Sequence, residues 1–159
     1  MTSQVLTSQV SPALTAWVRL LRGHSAARRT LDASLQAEHG LTVTAYEALL
    51  LLSRAESPLR RVDLVEGLAL TASGVTRLLD GLEADGFVTK ATCASDARVT
   101  YAVLTDDGRA KLEEASRSHV SAVQDMFEER YTAEELESLA ALLRRLPGAA
   151  GADPEECTA

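Results

Sequence analysis

A run of residues that could read nucleic-acid bases lies in the middle of the chain, between Thr71 and Gly86. If this run is helical, its short or hydrogen-bonding side chains share one side: Ser73, Thr76, Arg77 and Asp80. The opposite side is apolar and must face a core, and it comprises Val75, Leu78, Leu79 and Leu82. A helix with such a front can lie in the major groove and contact base edges. The pattern therefore predicts a DNA interface containing Ala72, Ser73, Gly74, Thr76 and Arg77.

Several cations near this run have two interpretations each. Arg77 could contact a base, or it could be an exposed side chain that pairs with Asp80 or Asp85. Arg60 and Arg61 could lie near phosphates or could simply be solvated. The surrounding pattern favours contact with DNA at Arg77 and leaves the other two open.

The elements around the run match a helix-turn-helix followed by a β-ribbon. Val62 to Leu68 predicts a short helix, and Ala69-Leu70 forms the turn into the next one. Residues 87–90 and 99–103 are β-branched and alternating, which predicts two hairpin strands joined by the polar stretch 92–97. The ribbon carries two further cations, Lys90 and Arg98.

Other kinds of chemistry find no support in the sequence. The three histidines, His24, His39 and His119, do not lie at metal-binding spacing with other ligands. No nucleophile triad or glycine-rich phosphate loop is present, so we expect neither an enzyme nor a cofactor. Cys93 and Cys157 make neither a disulfide framework nor a zinc site, and Cys93 is better explained as an ordinary side chain than as a redox sensor.

The net charge of −7 argues against nucleic acid, because dedicated binders are often strongly basic. Some of the acidic residues lie in the C-terminal tail, and five basic residues lie between residues 60 and 98. That segment also carries six carboxylates, so it is not basic in sum. We therefore expect DNA binding that weakens as salt is raised. Its affinity should be modest unless two copies bind as a symmetric dimer.

Length and composition predict one globular domain. The chain has 159 residues, of which 46% are hydrophobic. No apolar run approaches the roughly 20 residues of a membrane span, and residues 1–10 do not resemble a signal peptide. These observations predict a cytoplasmic protein.

Long amphipathic helices bracket the central segment. The first runs from Pro12 to His39, and its apolar stripe is long enough, at roughly 42 Å, to meet another subunit. A second covers Val43 to Ala55 and is capped by Thr42 or by a Thr44–Glu47 box. Two more cover 105–130 and 132–146. We predict a mainly α (α+β) domain at 11–146, with a winged lobe at 41–104, dimerisation helices at 11–39 and 105–146, and disorder at 1–10 and 147–159.

The ordered set of these residues resembles the MarR family of winged helix-turn-helix regulators. The resemblance covers about Leu41 to Leu112 and is carried by Leu41-Thr42, Tyr46, Leu49, Asp63-Leu64, Val75-Thr76-Arg77-Leu78-Leu79-Asp80, Leu82-Glu83, Gly86-Phe87-Val88, Asp96-Ala97-Arg98 and Leu104-Thr105-Asp106-Asp107-Gly108. It implies a homodimer that binds a pseudo-palindromic operator, usually as a repressor, and that a small phenolic or other aromatic ligand often releases.

The resemblance also implies roles for individual residues. Ser73, Thr76 and Arg77 would face the major groove, and Arg98 would enter the minor groove while Asp96 holds it. A ligand cavity between the dimerisation helices and the lobe would be lined by Trp17, His24, Arg28 and Tyr46, although such residues are more often core or interface. The first helix has no cysteine, which disfavours peroxide sensing.

Four positions depart from the family pattern. Ala97 stands where an arginine is common, and Lys90 stands near a usual ribbon arginine, which weakens the predicted wing contacts. Val62 replaces the usual serine cap of the third helix, and Ala69 replaces a turn glycine. The main alternative function is a winged-helix module for protein–protein interaction, whose surface would be more apolar than residues 73–80.

Overall fold

The computed structural model describes residues 11–92 and 100–147. Its helices are α1 (Pro12–His39), α2 (Val43–Arg54), α3 (Arg61–Leu68), α4 (Ala72–Ala84), α5 (Asp106–Glu128) and α6 (Ala133–Leu143). Its strands are β1 (Leu59–Arg60), β2 (Val88–Thr92) and β3 (Thr100–Leu104). All predicted helices are present, and the last of them ends at Leu143 rather than at Leu146. The predicted disorder at 1–10 and 148–159 lies outside the described residues.

Side-chain caps define where the long helices begin. Ser11 accepts a hydrogen bond from the backbone of Ala13 at the start of α1, and Gly40 ends that helix in the left-handed conformation at φ 68°. Thr42 caps α2, because its Oγ1 accepts from the Ala45 N–H at 3.0 Å. The alternative box of Thr44 and Glu47 is wrong, since both of those side chains bind Arg28 instead.

The third helix begins one residue earlier than predicted. Arg60 is its N-cap residue, so the interpretation of Val62 as the capping position is wrong. The carboxylate of Asp63 supplies the cap by accepting from the Arg60 backbone N–H at 2.9 Å. At the other end Ala69 takes a left-handed conformation at φ 50°, and it is the one non-glycine residue with positive φ in the described ranges.

The sheet has three strands, so the predicted two-stranded ribbon is wrong in this respect. Its order is β1-β3-β2, and both neighbouring pairs are antiparallel. Leu59 pairs with Ala102, and Arg60 pairs with Tyr101. A strand of two residues carries no alternating pattern, which is why the sequence does not reveal it. The hairpin strands lie one to two residues later than predicted at most of their ends.

Thr105 joins three elements at one point. Its hydroxyl donates to the Gly86 carbonyl at 2.7 Å and accepts from the Gly108 N–H at 3.0 Å. Its backbone N–H donates to the Phe87 carbonyl at 3.0 Å. Gly108 packs so tightly that an added Cβ would lie 2.1 Å from the Phe87 carbonyl oxygen. The end of α4, the start of β2 and the first turn of α5 are therefore held together.

The core lies between α2, α3, α4, α5, the sheet and the C-terminal part of α1. Its fully buried members include Leu35, Tyr46, Leu49, Leu64, Val75, Val88 and Leu112. The N-terminal part of α1 instead exposes an apolar stripe formed by Leu14, Trp17, Val18 and Leu21, each more than 40% exposed. No helix within the described ranges is both long and apolar enough to cross a membrane.

The strained turn between α3 and α4 gives a first prediction. A left-handed residue with a Cβ costs about 1–2 kcal/mol, and glycine avoids most of this at some entropic cost in the unfolded chain. We expect Ala69→Gly to raise the free energy of unfolding by about 0.5–1 kcal/mol in urea titrations. Ala55→Gly is the matched control, because Ala55 has φ −70° and should only lose stability. Equal effects at the two positions would show that the turn is not strained.

Candidate nucleic-acid interface

Helix α4 has the two faces that the sequence predicts. Val75, Leu79 and Leu82 are at most 3% exposed. Ser73, Arg77 and Asp80 are exposed on the other side, and Thr76 is half-buried. The polar face is thus available to a partner of the size of a duplex.

Hydrogen bonds that involve the side chains of Thr71 and Thr76 hold the first turn of α4. Thr71 caps the helix by accepting from the Gly74 N–H at 3.1 Å, and its hydroxyl lies 3.2 Å from that of Ser73. Thr76 donates to the Ala72 carbonyl at 2.9 Å, so its oxygen remains free to accept. A Cβ on Gly74 would lie 3.2 Å from Thr71 Oγ1, a tight contact that the cap would have to relieve by a small shift. The pattern of polar residues on α4 does not identify Thr71, because Thr71 precedes the helix. The signal that could have identified it is a threonine at the N-cap position.

Arg77 is exposed and has no ion-pair or hydrogen-bond partner within the described part of the chain. The predicted alternative, a pair with Asp80 or Asp85, does not form, and the Asp80 carboxylate contacts Lys90 instead. All five N–H donors of the guanidinium therefore remain available to a ligand.

Lys90 lies against the side of α4 rather than pointing into solvent. Its ammonium contacts Asp80 Oδ1 and lies 2.8 Å from Glu83 Oε2. The hydrogen bond to Asp80, followed by that to Glu83, raises the pKa of Lys90 above its ordinary value. The predicted DNA contact at Lys90 thus has two carboxylate partners within the same chain.

The two arginines before α3 differ in their surroundings. Arg60 holds the Asp63 carboxylate through Nε at 3.1 Å and Nη2 at 2.8 Å, and these bonds lower the pKa of Asp63. Arg61 is half-buried, and its buried Nε has no hydrogen-bond partner among the described residues. The predicted wing residues Asp96 and Arg98 lie outside the described residues, as does Cys93.

Comparison with known proteins agrees with this architecture. The sequence model of the MarR family matches residues 39–99. The chain is 33% identical to Sco5413, a MarR family transcriptional regulator from Streptomyces coelicolor, with a TM-score of 0.75 over 88% of this chain and 96% of that one. The chain belongs to the MarR family.

Two further relatives point the same way. Sco3205 from Streptomyces coelicolor, a MarR family transcriptional regulator whose structure was solved in complex with DNA, is 29% identical with a TM-score of 0.73 over 82% of each chain. The transcriptional repressor YetL of Bacillus subtilis is 32% identical over 108 residues, 67% of this chain and 64% of YetL. This chain is accordingly a DNA-binding transcriptional regulator with a winged helix-turn-helix fold.

The four residues predicted to line a ligand cavity do not come together in this MarR domain. His24 and Arg28 line a shallow, open depression on α1 with Ser25, Arg29 and Asp32. Tyr46 is 2% exposed in the core, where its hydroxyl lies 3.1 Å from that of Ser116. Trp17 lies in the exposed stripe of α1, outside that depression. In the single chain these four residues do not line one cavity, because the ring of Tyr46 packs into the core, and the ligand site stays a prediction.

Arg28 is the residue that connects this depression to the winged lobe. Its guanidinium donates to both carboxylate oxygens of Glu47 at 2.9 Å and to the hydroxyl of Thr44 at 2.9 Å. Asp32 adds a second link by accepting from the Val43 N–H at 2.8 Å. The start of α2 is thus held to the middle of α1 by charged and polar contacts.

A partly buried histidine behind Tyr46 gives a prediction about pH. The ring of His119 lies 4.6 Å from that of Tyr46, and burial lowers the pKa of His119 against a smaller opposing effect of Glu47. The unfolded chain, with an ordinary histidine pKa near 6.5, therefore binds the proton more readily than the folded one. The free energy of unfolding should fall as the pH drops through about 6.5, and His119→Gln should reduce this fall.

Urea titrations at several pH values between about 7.5 and 5 would measure the effect. His24→Gln, which removes an exposed imidazole, is the matched control. If wild type and His119→Gln lost stability in parallel, His119 would not be the group responsible.

Proposed function

We propose that this regulator is a repressor that binds a pseudo-palindromic operator as a homodimer and that a small aromatic or phenolic effector releases it. The observation that carries the proposal is the exposed polar face of α4, at whose centre Arg77 pairs with none of the described residues. Placed in the major groove, Ser73, Thr76 and Arg77 would contact base edges, and Arg77 suits the O6 and N7 acceptors of guanine. Arg98, held by Asp96, would enter the minor groove, and Arg60 and Arg61 would approach phosphates.

A second copy of the chain is the proposed partner of the apolar stripe on α1. Leu14, Trp17, Val18 and Leu21 repeat at helical spacing over almost two turns. Exposed apolar residues near the other chain end extend the surface: Tyr131, Leu142 and Leu146. A two-fold axis through these ends would present two α4 helices to half-sites about one duplex turn apart. Such a regulator would act in the cytoplasm, where its operator lies.

The proposed effector would act on the link between α1 and the lobe. A phenolate or carboxylate beside His24 could take over the guanidinium of Arg28 from Glu47. Loss of that ion pair would leave the Asp32–Val43 hydrogen bond as the remaining polar link between α1 and the start of α2, and this loosening would change the separation of the two recognition helices.

Selection of bound duplexes from a random DNA pool tests the proposal directly. We expect enrichment of an inverted repeat whose half-site centres lie about 10 base pairs apart. Failure to enrich any sequence would overturn the repressor assignment and favour a protein–protein interaction module.

Arg77 should be the most sensitive position for sequence selectivity. We expect Arg77→Ala to weaken binding to the enriched duplex by about 10- to 100-fold, and to weaken binding to random duplex much less. Fluorescence anisotropy at fixed salt would measure both affinities. Arg117→Ala removes an equally exposed arginine from α5 and is the matched control. A loss of the same size on both duplexes would show that Arg77 does not read bases.

The apolar stripe should hold the dimer together. We expect Leu21→Glu to shift the protein toward monomer in sedimentation velocity at micromolar concentration, because it buries a charge in the proposed interface. Val62→Glu places the same charge on another exposed apolar residue, outside the stripe, and should leave the sedimentation coefficient unchanged. A Leu21→Glu protein that stays dimeric would place the interface elsewhere.

A further inference from the structure

The ion cluster beside the recognition face lies where carboxylates would be least compatible with DNA. Asp80 follows Arg77 after three residues and Glu83 follows Asp80 after three more, so Asp80 borders the recognition face and Glu83 lies on its flank. Their side chains are 57% and 43% exposed, so neither charge is covered by the described part of the chain. A duplex there would bring its phosphates close to two negative charges.

Lys90 reaches both carboxylates from the neighbouring strand β2. Its ammonium contacts Asp80 and lies 2.8 Å from Glu83, while its own side chain is only 24% exposed. With Lys90 the cluster has a net charge of −1, and without it the charge would be −2. The ammonium thereby halves the charge that faces the phosphates.

The same contact keeps Arg77 available. Asp80 lies three residues after Arg77, a spacing at which carboxylate and guanidinium pair on a helix surface. Because Lys90 engages the Asp80 carboxylate, that competition is weakened and the guanidinium can form the bidentate contact that guanine requires.

We propose that Lys90 is a positioning residue for DNA recognition: it masks Asp80 and Glu83 and keeps Arg77 unpaired, rather than binding a phosphate itself. The inference rests on the proposed operator binding. A cation on the ribbon is ordinarily expected to bind a phosphate. In this proposal the effect of Lys90 on DNA binding depends instead entirely on Asp80 and Glu83. The contact also ties the base of the ribbon to the C-terminal half of α4, so ribbon and helix approach DNA as one surface.

A charge-rescue cycle tests this assignment. The variants are Lys90→Met, which keeps the apolar stem, Asp80→Asn with Glu83→Gln, and all three changes together. Lys111→Met is the matched control, because it removes the same charge from α5, where Lys111 pairs with Glu114. Anisotropy with the enriched duplex and with a random duplex of equal length, from about 50 to 300 mM salt, gives affinities and salt slopes. Circular dichroism confirms that each variant is folded.

We expect Lys90→Met to weaken binding to the enriched duplex about tenfold without lowering the salt slope. The triple variant should return to within about threefold of wild type, because the unmasked charges are gone. The double variant with Lys90 intact should bind about threefold more tightly than wild type, and Lys111→Met should bind like wild type.

Two results would overturn the inference, and they are distinguishable from failure of the proposed function. A Lys90→Met protein with a salt slope lower by about 0.9 and no rescue in the triple variant would make Lys90 a phosphate contact. An unchanged affinity would remove it from recognition altogether. If the wild type bound neither duplex, the operator-binding function itself would fall, and this inference with it.

Discussion

The burial of one side of α4 is the constraint on which the interface depends. Val75, Leu79 and Leu82 are almost completely buried, and each contributes about 1.5–3 kcal/mol through burial. A rotation of the helix about its axis would expose them, so the core and not the DNA determines which residues face outward. Ser73 and Arg77 are therefore presented before any partner arrives, and little of the binding free energy is spent on orienting them.

Local ion pairs explain how an acidic protein can present a face for DNA. The chain has a net charge of −7, yet only some of the cations around the interface are paired with carboxylates of the described residues. Arg60 binds Asp63 and Lys90 binds Asp80 with Glu83, whereas Arg77 has no partner among the described residues. Such pairs cancel charge over a few ångströms, less than the roughly 10 Å over which salt screens a field. The arrangement of charges matters here more than their sum.

The sequence predicts elements that have a periodic pattern, and it misses contacts that have none. Helical periodicity and caps were sufficient for every predicted helix and for the two faces of α4. The two-residue strand β1 was missed because its pairing with β3 depends on residues more than 40 positions away. The early start of α3 was missed because an aspartate inside the helix, not a residue before it, supplies the cap. Likewise, no local pattern shows that Tyr46 turns into the core or that Lys90 reaches back to α4.

The junction at Thr105 couples the helix-turn-helix and the sheet to the first turn of α5. One threonine bonds to the end of α4, the start of β2 and the first turn of α5, and Gly108 leaves no gap beside it. Because β3 runs directly into this junction and pairs with strands on both sides, helix-turn-helix and ribbon cannot swing independently. A small tilt of α5 would therefore be amplified at the far end of the lobe in proportion to its length. The angle at which the lobe leaves α5 is thus a mechanical variable of this protein, and the links of Arg28 and Asp32 to the start of α2 act on the same lobe from α1.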